Sequence, residues 1–206
     1  MKFLVVAAFE PELTEFRRLA ITVVAQVDTD VAQIGVGLVD AAMGMTRCIA
    51  RHRPTHALLL GTCGTFAGAP GGVVTGRAVR LADACVAAGR AAIPPPMPTT
   101  APLDAALHDA LVAAGATSAA IVNTLAITTD DTLAAALAVE GGVEHLEAFA
   151  FARACAEAGI AANVALGVAN VVGTSGRDQW RANHVAASAS AARIACDAIA
   201  SLATRR

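Results

Sequence analysis

Four short stretches carry the polar groups that could do chemistry in a chain where hydrophobic residues make up 56% and charged residues only 16%. Glu10-Pro11-Glu12 follows the apolar run Phe3 to Ala8. Gly61-Thr62-Cys63-Gly64 follows Ala57 to Leu60. Glu144 and Glu147 interrupt the apolar segment Val143 to Ala152, and Asn170 is a lone amide in Gly167 to Gly173. A carboxylate on an apolar face costs several kcal/mol unless it has partners. Glu147 therefore needs a reason to be there, and a polyol whose hydroxyls it accepts would be one. A second carboxylate, Glu12 or Glu10, could serve as a general base. The glycine-rich turn could present backbone N–H groups to a small ligand.

Each feature also has a plainer reading. Acids at helix starts are ordinary, which covers Glu10, Glu12, Glu144 and Glu147 one at a time. Gly61 to Gly64 lacks the Gly-Lys-Ser/Thr of an ATP-type loop. Gly35-Val36-Gly37 lacks the third glycine of a dinucleotide fingerprint, so a tight strand-to-helix turn is expected. Cys63 has no Cys-His-Asn pattern around it and reads as a small buried residue. The five histidines have no metal-ligand spacing, and Pro54 separates His52 from His56. We expect no metal and no cofactor.

The elements that must position these groups alternate. Phe3 to Ala7 reads as a strand and Glu12 to Arg18 as a helix. Ile21 to Val27 and Val31 to Ile34 read as a strand pair. Leu38, Ala41, Ala42, Met45, Cys48 and Ile49 recur at helical spacing, and Pro54 stops that helix. Ala57 to Leu60 is a short buried strand running into the glycine turn, and Gly71 to Leu81 carries further strand signals. Pro94 to Pro98 forms a stiff loop. A helix through Leu103, Leu107 and Leu111 ends at Gly115. Ile121 to Leu125 is a strand, helices follow at Thr132 to Ala138 and Glu144 to Ala158, and Asn163 to Val172 returns as a strand. The last helix is expected after Asn183. This order predicts an α/β fold, a single-domain three-layer α/β/α arrangement over residues 1–206 with a central mixed sheet. Ligands bind such sheets at the carboxyl ends of strands, and Glu12, Gly61 to Thr65, Thr128 and Asn170 all lie just past such ends.

At 206 residues the chain supports one substantial core. No uninterrupted run reaches the roughly 18 apolar residues of a membrane span. Glu10 and Glu12 cut short the only signal-like segment, so a first core strand is expected and no membrane association. A net charge of −2 without a basic stripe argues against nucleic acid as a partner. Cys48, Cys63, Cys85, Cys155 and Cys196 are odd in number and contain no CxxC, which predicts free thiols in a reducing cytoplasm.

The order Met1 to Glu12, Gly35-Val36-Gly37, Gly61-Thr62-Cys63-Gly64, Leu146-Glu147-Ala148 and Ala169-Asn170 resembles the purine nucleoside phosphorylase and nucleosidase superfamily over nearly the whole chain. Val143 to Trp180 is most similar to its futalosine hydrolase branch. The resemblance implies cleavage of a purine nucleoside, with Glu12 as the acid that activates water (Glu10 in reserve) and Glu147, beside Leu146, accepting the ribose hydroxyls. Asn170, where the nucleosidases carry aspartate, implies a 6-oxopurine base. Thr62, Gly64, Thr128 and Phe149 are the further expected substrate contacts. The superfamily's phosphate-binding arginine is replaced by Leu59, and Glu10-Pro11-Glu12 would repel phosphate, so hydrolysis is expected over phosphorolysis. Methylthioadenosine/S-adenosylhomocysteine nucleosidase and phosphorylase are the alternatives within the superfamily. Phe149, Leu166 and Ala169 depart from its pattern, which keeps a nucleoside-binding homologue without turnover in view. The resemblance also implies a homodimer or higher homo-oligomer, for which the helix Leu38 to Ile49 and the loop Pro94 to Pro98 are candidate surfaces.

Overall fold

The computed structural model describes residues 1–138 and 142–204. In chain order it contains β1 (Lys2–Ala7), a 3-10 turn (Glu10–Leu13), α1 (Thr14–Val23), β2 (Asp28–Gln33), α2 (Leu38–His52), β3 (His56–Thr65), β4 (Val73–Thr75) and β5 (Ala78–Leu81). Then come α3 (Ala84–Ala87), β6 (Thr100–Pro102), α4 (Ala105–Ala113), β7 (Thr117–Ser118), β8 (Ile121–Asn123) and α5 (Asp131–Leu137). The chain closes with β9 (Val143–His145), α6 (Ala148–Glu157), β10 (Ala161–Val171) and α7 (Gly176–Thr204).

Because side chains alternate along a strand, β1 feeds both sides of the sheet. Phe3, Val5 and Ala7 join one buried cluster with Phe16 of α1, Leu107 and Leu111 of α4, and Ala191, Ala195 and Ile199 of α7. Leu4 and Val6 join the other, with Ala41 and Met45 of α2 and Phe151 and Cys155 of α6. Helices thus cover both faces of one mixed sheet, as the alternating sequence predicts. Two-sided burial explains why its central strands read as continuous apolar runs. Among the described residues α7 alone is long and apolar enough to cross a bilayer. Its buried residues instead pack on the sheet and on α1 and α4.

One feature of the pairing makes the site. Along one edge β3 pairs with β10 in parallel from His56 to Thr65. Along the other edge it pairs with β1 in parallel only as far as Val6↔Leu59. It then takes β9, antiparallel, at Gly64↔Glu144 and Thr65↔Val143. Residues 60–63 lie between the two partners, in a gap where β1 has ended and β9 has not begun.

The structure corrects several sequence expectations. Ile21 to Val27 is not a strand: α1 runs to Val23, and Ile21 faces solvent. β2 pairs in parallel with β1, with α1 as crossover, because the free edge of a fully buried strand needs a ladder more than Val31 to Ile34 needs a hairpin. The glycine turn is not a turn but the second half of β3, held straight by β10. Val143 to His145 is a strand and not the start of a helix, because β8 and β3 both pair with it. Glu147 is the N-cap of α6 and does not lie on it. The last helix starts at Gly176, well before Asn183, and so carries Trp180.

Candidate active site

Glu12 reaches the gap from the 3-10 turn that follows β1. Pro at the first turn of that segment is compatible with helical geometry. Its side chain is 5% exposed. Oε1 accepts from the backbone N–H of Thr62 at 2.9 Å and from Thr62 Oγ1 at 3.1 Å. The carboxylate thus supplies a partner for a strand amide that neither β1 nor β9 can reach. Burial pushes the Glu12 carboxyl up to about 8, against the pull of the Thr62 hydrogen bonds and with a smaller push from Glu147. Glu10, the reserve candidate, lies on the surface, where Arg17 Nε donates to its Oε1 at 2.8 Å.

Glu147 enters from the opposite side, also 5% exposed. Its Oε1 accepts from the backbone N–H of Gly37 at 2.7 Å. Gly37 caps α2 with φ of 83°, a left-handed conformation that glycine adopts without strain. The glutamate therefore sits at the positive end of the α2 dipole. Its Oε2 lies 3.3 Å from His145 Nδ1. That contact is not an ion pair. Nδ1 accepts from the backbone N–H groups of Glu147 and Ala148, both at 3.1 Å, so it presents a lone pair. Burial also holds His145 below its ordinary value, against the opposing pull of Glu147, and keeps the ring neutral. Glu147 Oε2 faces a lone pair and is short of a donor.

Asn170 follows a register shift in β10, between Val168 and Asn170. Its Nδ2 donates to Val171 O at 3.0 Å, leaving one N–H and Oδ1. Gly64 and Gly176 make room for it, since a Cβ at either would come within 2.8 Å and 3.1 Å of Nδ2. Across the gap Trp180 Nε1 donates to Thr62 Oγ1 at 3.0 Å, and the indole stacks on His184 with ring centroids 4.3 Å apart. Thr62 Oγ1 accepts from Trp180 and donates to Glu12, so its proton is committed toward the carboxylate.

The structure brings Glu12 to Thr62 and within reach of Glu147, and Asn170 to Gly64, with Leu146 half-buried beside Glu147. Thr128 does something else: its N–H and Oγ1 both go to Glu144, at 3.3 Å and 2.5 Å. Phe149 is buried, and its ring lines a groove between α2 and α6 with Leu38 and Ala42. Cys63 is fully buried, and burial raises its thiol far from the thiolate range, so it is no nucleophile. Among the described residues no group of three or more His, Cys, Asp or Glu could hold a metal. Two contributors were missed in the sequence. His145 had a signal, a lone histidine between two acids in an apolar run. The N–H of Gly37 had none, because its role depends on where α2 docks.

Neither protein-family models nor curated proteins match this chain. Solved structures do. The methylthioadenosine/S-adenosylhomocysteine nucleosidase of Neisseria meningitidis, in complex with methylthio-immucillin-A, superposes with a TM-score of 0.86 at 20% identity, over 97% of this chain and 99% of that one. The nucleosidase of Colwellia psychrerythraea in complex with adenine gives 0.83 at 18%, over 97% and 94%. The futalosine hydrolase of Helicobacter pylori gives 0.86 at 12%, over 97% of each chain. The fold is the one these nucleosidases share.

Proposed function

We propose that this chain hydrolyses the N-glycosidic bond of a purine nucleoside, with futalosine as the first candidate. The observation that carries the reading is a shared asymmetry. Glu12 and Glu147 each commit one oxygen to a backbone N–H, of Thr62 and of Gly37, and the two carboxyls lie near enough for Glu147 to help raise Glu12. Glu147 then accepts the ribose hydroxyls, fixing the sugar and favouring positive charge at C1′. Glu12 takes a proton from water, whose oxygen bonds to C1′ as the C1′–N9 pair leaves with the base. A carboxyl raised to about 8 accepts a proton more readily than an ordinary carboxylate once it is ionised, so turnover should rise with pH toward 8. The base, which leaves as an anion, takes a proton at N7 from solvent water.

Asn170 supports the choice of base. Its Oδ1 can accept from N7–H of the departing hypoxanthine while its free N–H donates to O6. Adenine presents an amino group at that corner and needs a proton donor at N7, for which an amide is too weak an acid. Leu59 and the acids at Glu10 and Glu12 offer phosphate no cation, which supports hydrolysis. Adenine nucleosides are the second reading, favoured by the two neighbours crystallised with an adenine-type inhibitor and with adenine.

The test is purified protein with futalosine, inosine and methylthioadenosine, each with and without phosphate. Hypoxanthine release independent of phosphate is expected, and strict phosphate dependence overturns the hydrolase. Asn170→Asp should move preference toward adenine nucleosides by roughly tenfold or more, one hydrogen bond's worth of discrimination. An unchanged preference removes Asn170 from base recognition. Binding by calorimetry without turnover would favour a nucleoside-binding homologue.

We also propose that the chain pairs with a second copy through α2. Val39 and Met43 are 66% and 55% exposed there, continuous with the groove that Met97 of the proline loop helps line. Light scattering that gives a monomer mass at micromolar concentration removes this proposal.

A further inference from the structure

His145 has two ring nitrogens, and the fold uses only one. Nδ1 is saturated by the backbone N–H groups of Glu147 and Ala148, which leaves the proton on Nε2. Among the described residues Nε2 has no protein acceptor. It is aimed at Gly61, in the gap between β1 and β9. A Cβ on Gly61 would lie 3.2 Å from His145 Nε2, 3.3 Å from Glu12 Oε1 and 3.4 Å from Glu12 Oε2. Gly61 is therefore the point on β3 where a donor and a carboxyl both close in on the strand with no side chain between them. Oε1 already takes two hydrogen bonds from Thr62 and the carboxyl has a further, weaker backbone contact from Ala8, so Oε2 keeps the greater acceptor capacity. A buried donor and acceptor that close in on one point suit an oxygen that can do both.

We infer that His145 is a positioning residue for the attacking water, whose oxygen accepts from Nε2–H while one of its protons points at Glu12 Oε2, beside Gly61. The inference rests on the hydrolase reading. One lone pair of the water stays free for C1′, and its proton passes to Glu12, so His145 gains and loses no proton in the step. The neutral ring is required, because both Nδ1 contacts are lost when Nδ1 is protonated. The groups that face it are Glu12 from the 3-10 turn, Glu147 from the start of α6 and Thr62 from β3.

Two substitutions separate positioning from turn capping. His145→Asn keeps an acceptor at the δ position for the two backbone N–H groups and removes the ε donor. His145→Gln keeps a donor at the ε position and gives up the δ acceptor. Positioning predicts that the Asn variant loses roughly 10²-fold in kcat with KM near wild type, the scale of one oriented donor, while the Gln variant retains much more of kcat. A purely structural role predicts the reverse order and overturns the inference. Gly61→Ala presses a methyl against His145 Nε2 and the Glu12 carboxyl and crowds any water between them, so kcat should fall with KM held; an unchanged kcat counts against the inference. A crystal structure of the ligand-free protein decides the matter without activity. An ordered oxygen within hydrogen-bond distance of both Nε2 and Glu12 Oε2 supports the inference, and its absence overturns it. If the wild-type protein cleaves no nucleoside the hydrolase reading fails alone, and this density still decides the role of His145.

Discussion

Two buried carboxylates a short distance apart in the fold are treated in opposite ways. Glu144, on β9, is saturated: Thr124 Oγ1 at 3.0 Å and Thr128 Oγ1 at 2.5 Å donate to Oε1, and the Thr128 N–H donates to Oε2 at 3.3 Å. All its donors come from the segment after β8, so it ties that segment to the sheet. Glu12 receives two hydrogen bonds on Oε1, both from Thr62, with a weaker backbone contribution from Ala8, and both its oxygens come up against Gly61, where there is no side chain. Burial alone does not mark a catalytic acid, since the two are 7% and 5% exposed. What separates them is whether the protein has supplied all the donors the acid needs. Glu147 belongs with Glu12 by this criterion.

The comparison breaks most directly at Glu12. Glu12→Gln should lose roughly 10²–10⁴-fold in kcat, the range for a general base, with nucleoside affinity largely kept. The same variant reads out the burial of the charge. Between the unfolded value of 4.5 and about 8, folded Glu12 holds a proton that the unfolded chain has released. The contribution of Glu12 to stability is therefore most favourable below 4.5, falls as pH rises through that window and levels off above about 8. Glu12→Gln should flatten this slope and gain on the wild type above pH 8 by on the order of a few kcal/mol, measured by chemical denaturation at pH 5 and pH 9. A variant with wild-type kcat and an unchanged slope would place Glu12 with Glu144.

Glu147→Gln should weaken binding and turnover together by roughly 10- to 100-fold, the worth of a hydrogen bond to a charged acceptor at about 1.5–3 kcal/mol. A loss confined to kcat would mean that it does not hold the sugar before the transition state. Glu144→Gln should do the opposite, lowering stability by about 1–3 kcal/mol through its disturbed threonine contacts while kcat and KM stay within about threefold. A large kinetic loss at unchanged melting temperature would show that Glu144, too, meets the ligand.

Much of this plan was legible in the chain. Apolar runs of strand length broken by helical spacing imply an α/β sandwich, because a sheet buried on both faces leaves no polar alternation. Glu12, Glu147 and Asn170 stood out because an apolar surround makes a polar group expensive and therefore informative. Thr128, expected at the ligand, ties instead to Glu144 in the structure, for a related reason. Its position past a strand end is visible in sequence, whereas the acid that claims it, Glu144, is remote in the chain.

The sequence by itself determined the fold class and singled out two acids and an amide as polar groups in apolar surroundings, because both follow from local composition and order. The tertiary structure alone decided that β3 changes partner from β1 to β9 and leaves residues 60–63 unpaired on one edge. It also decided that Glu12 rather than Glu10 fills that gap, that the N–H of Gly37 meets Glu147, and that His145 turns its free nitrogen toward Gly61. These depend on groups as far as 110 positions apart in the chain coming within hydrogen-bond distance. Which groups meet at such range is set by strand register and helix docking, and neither is written in any local stretch of sequence.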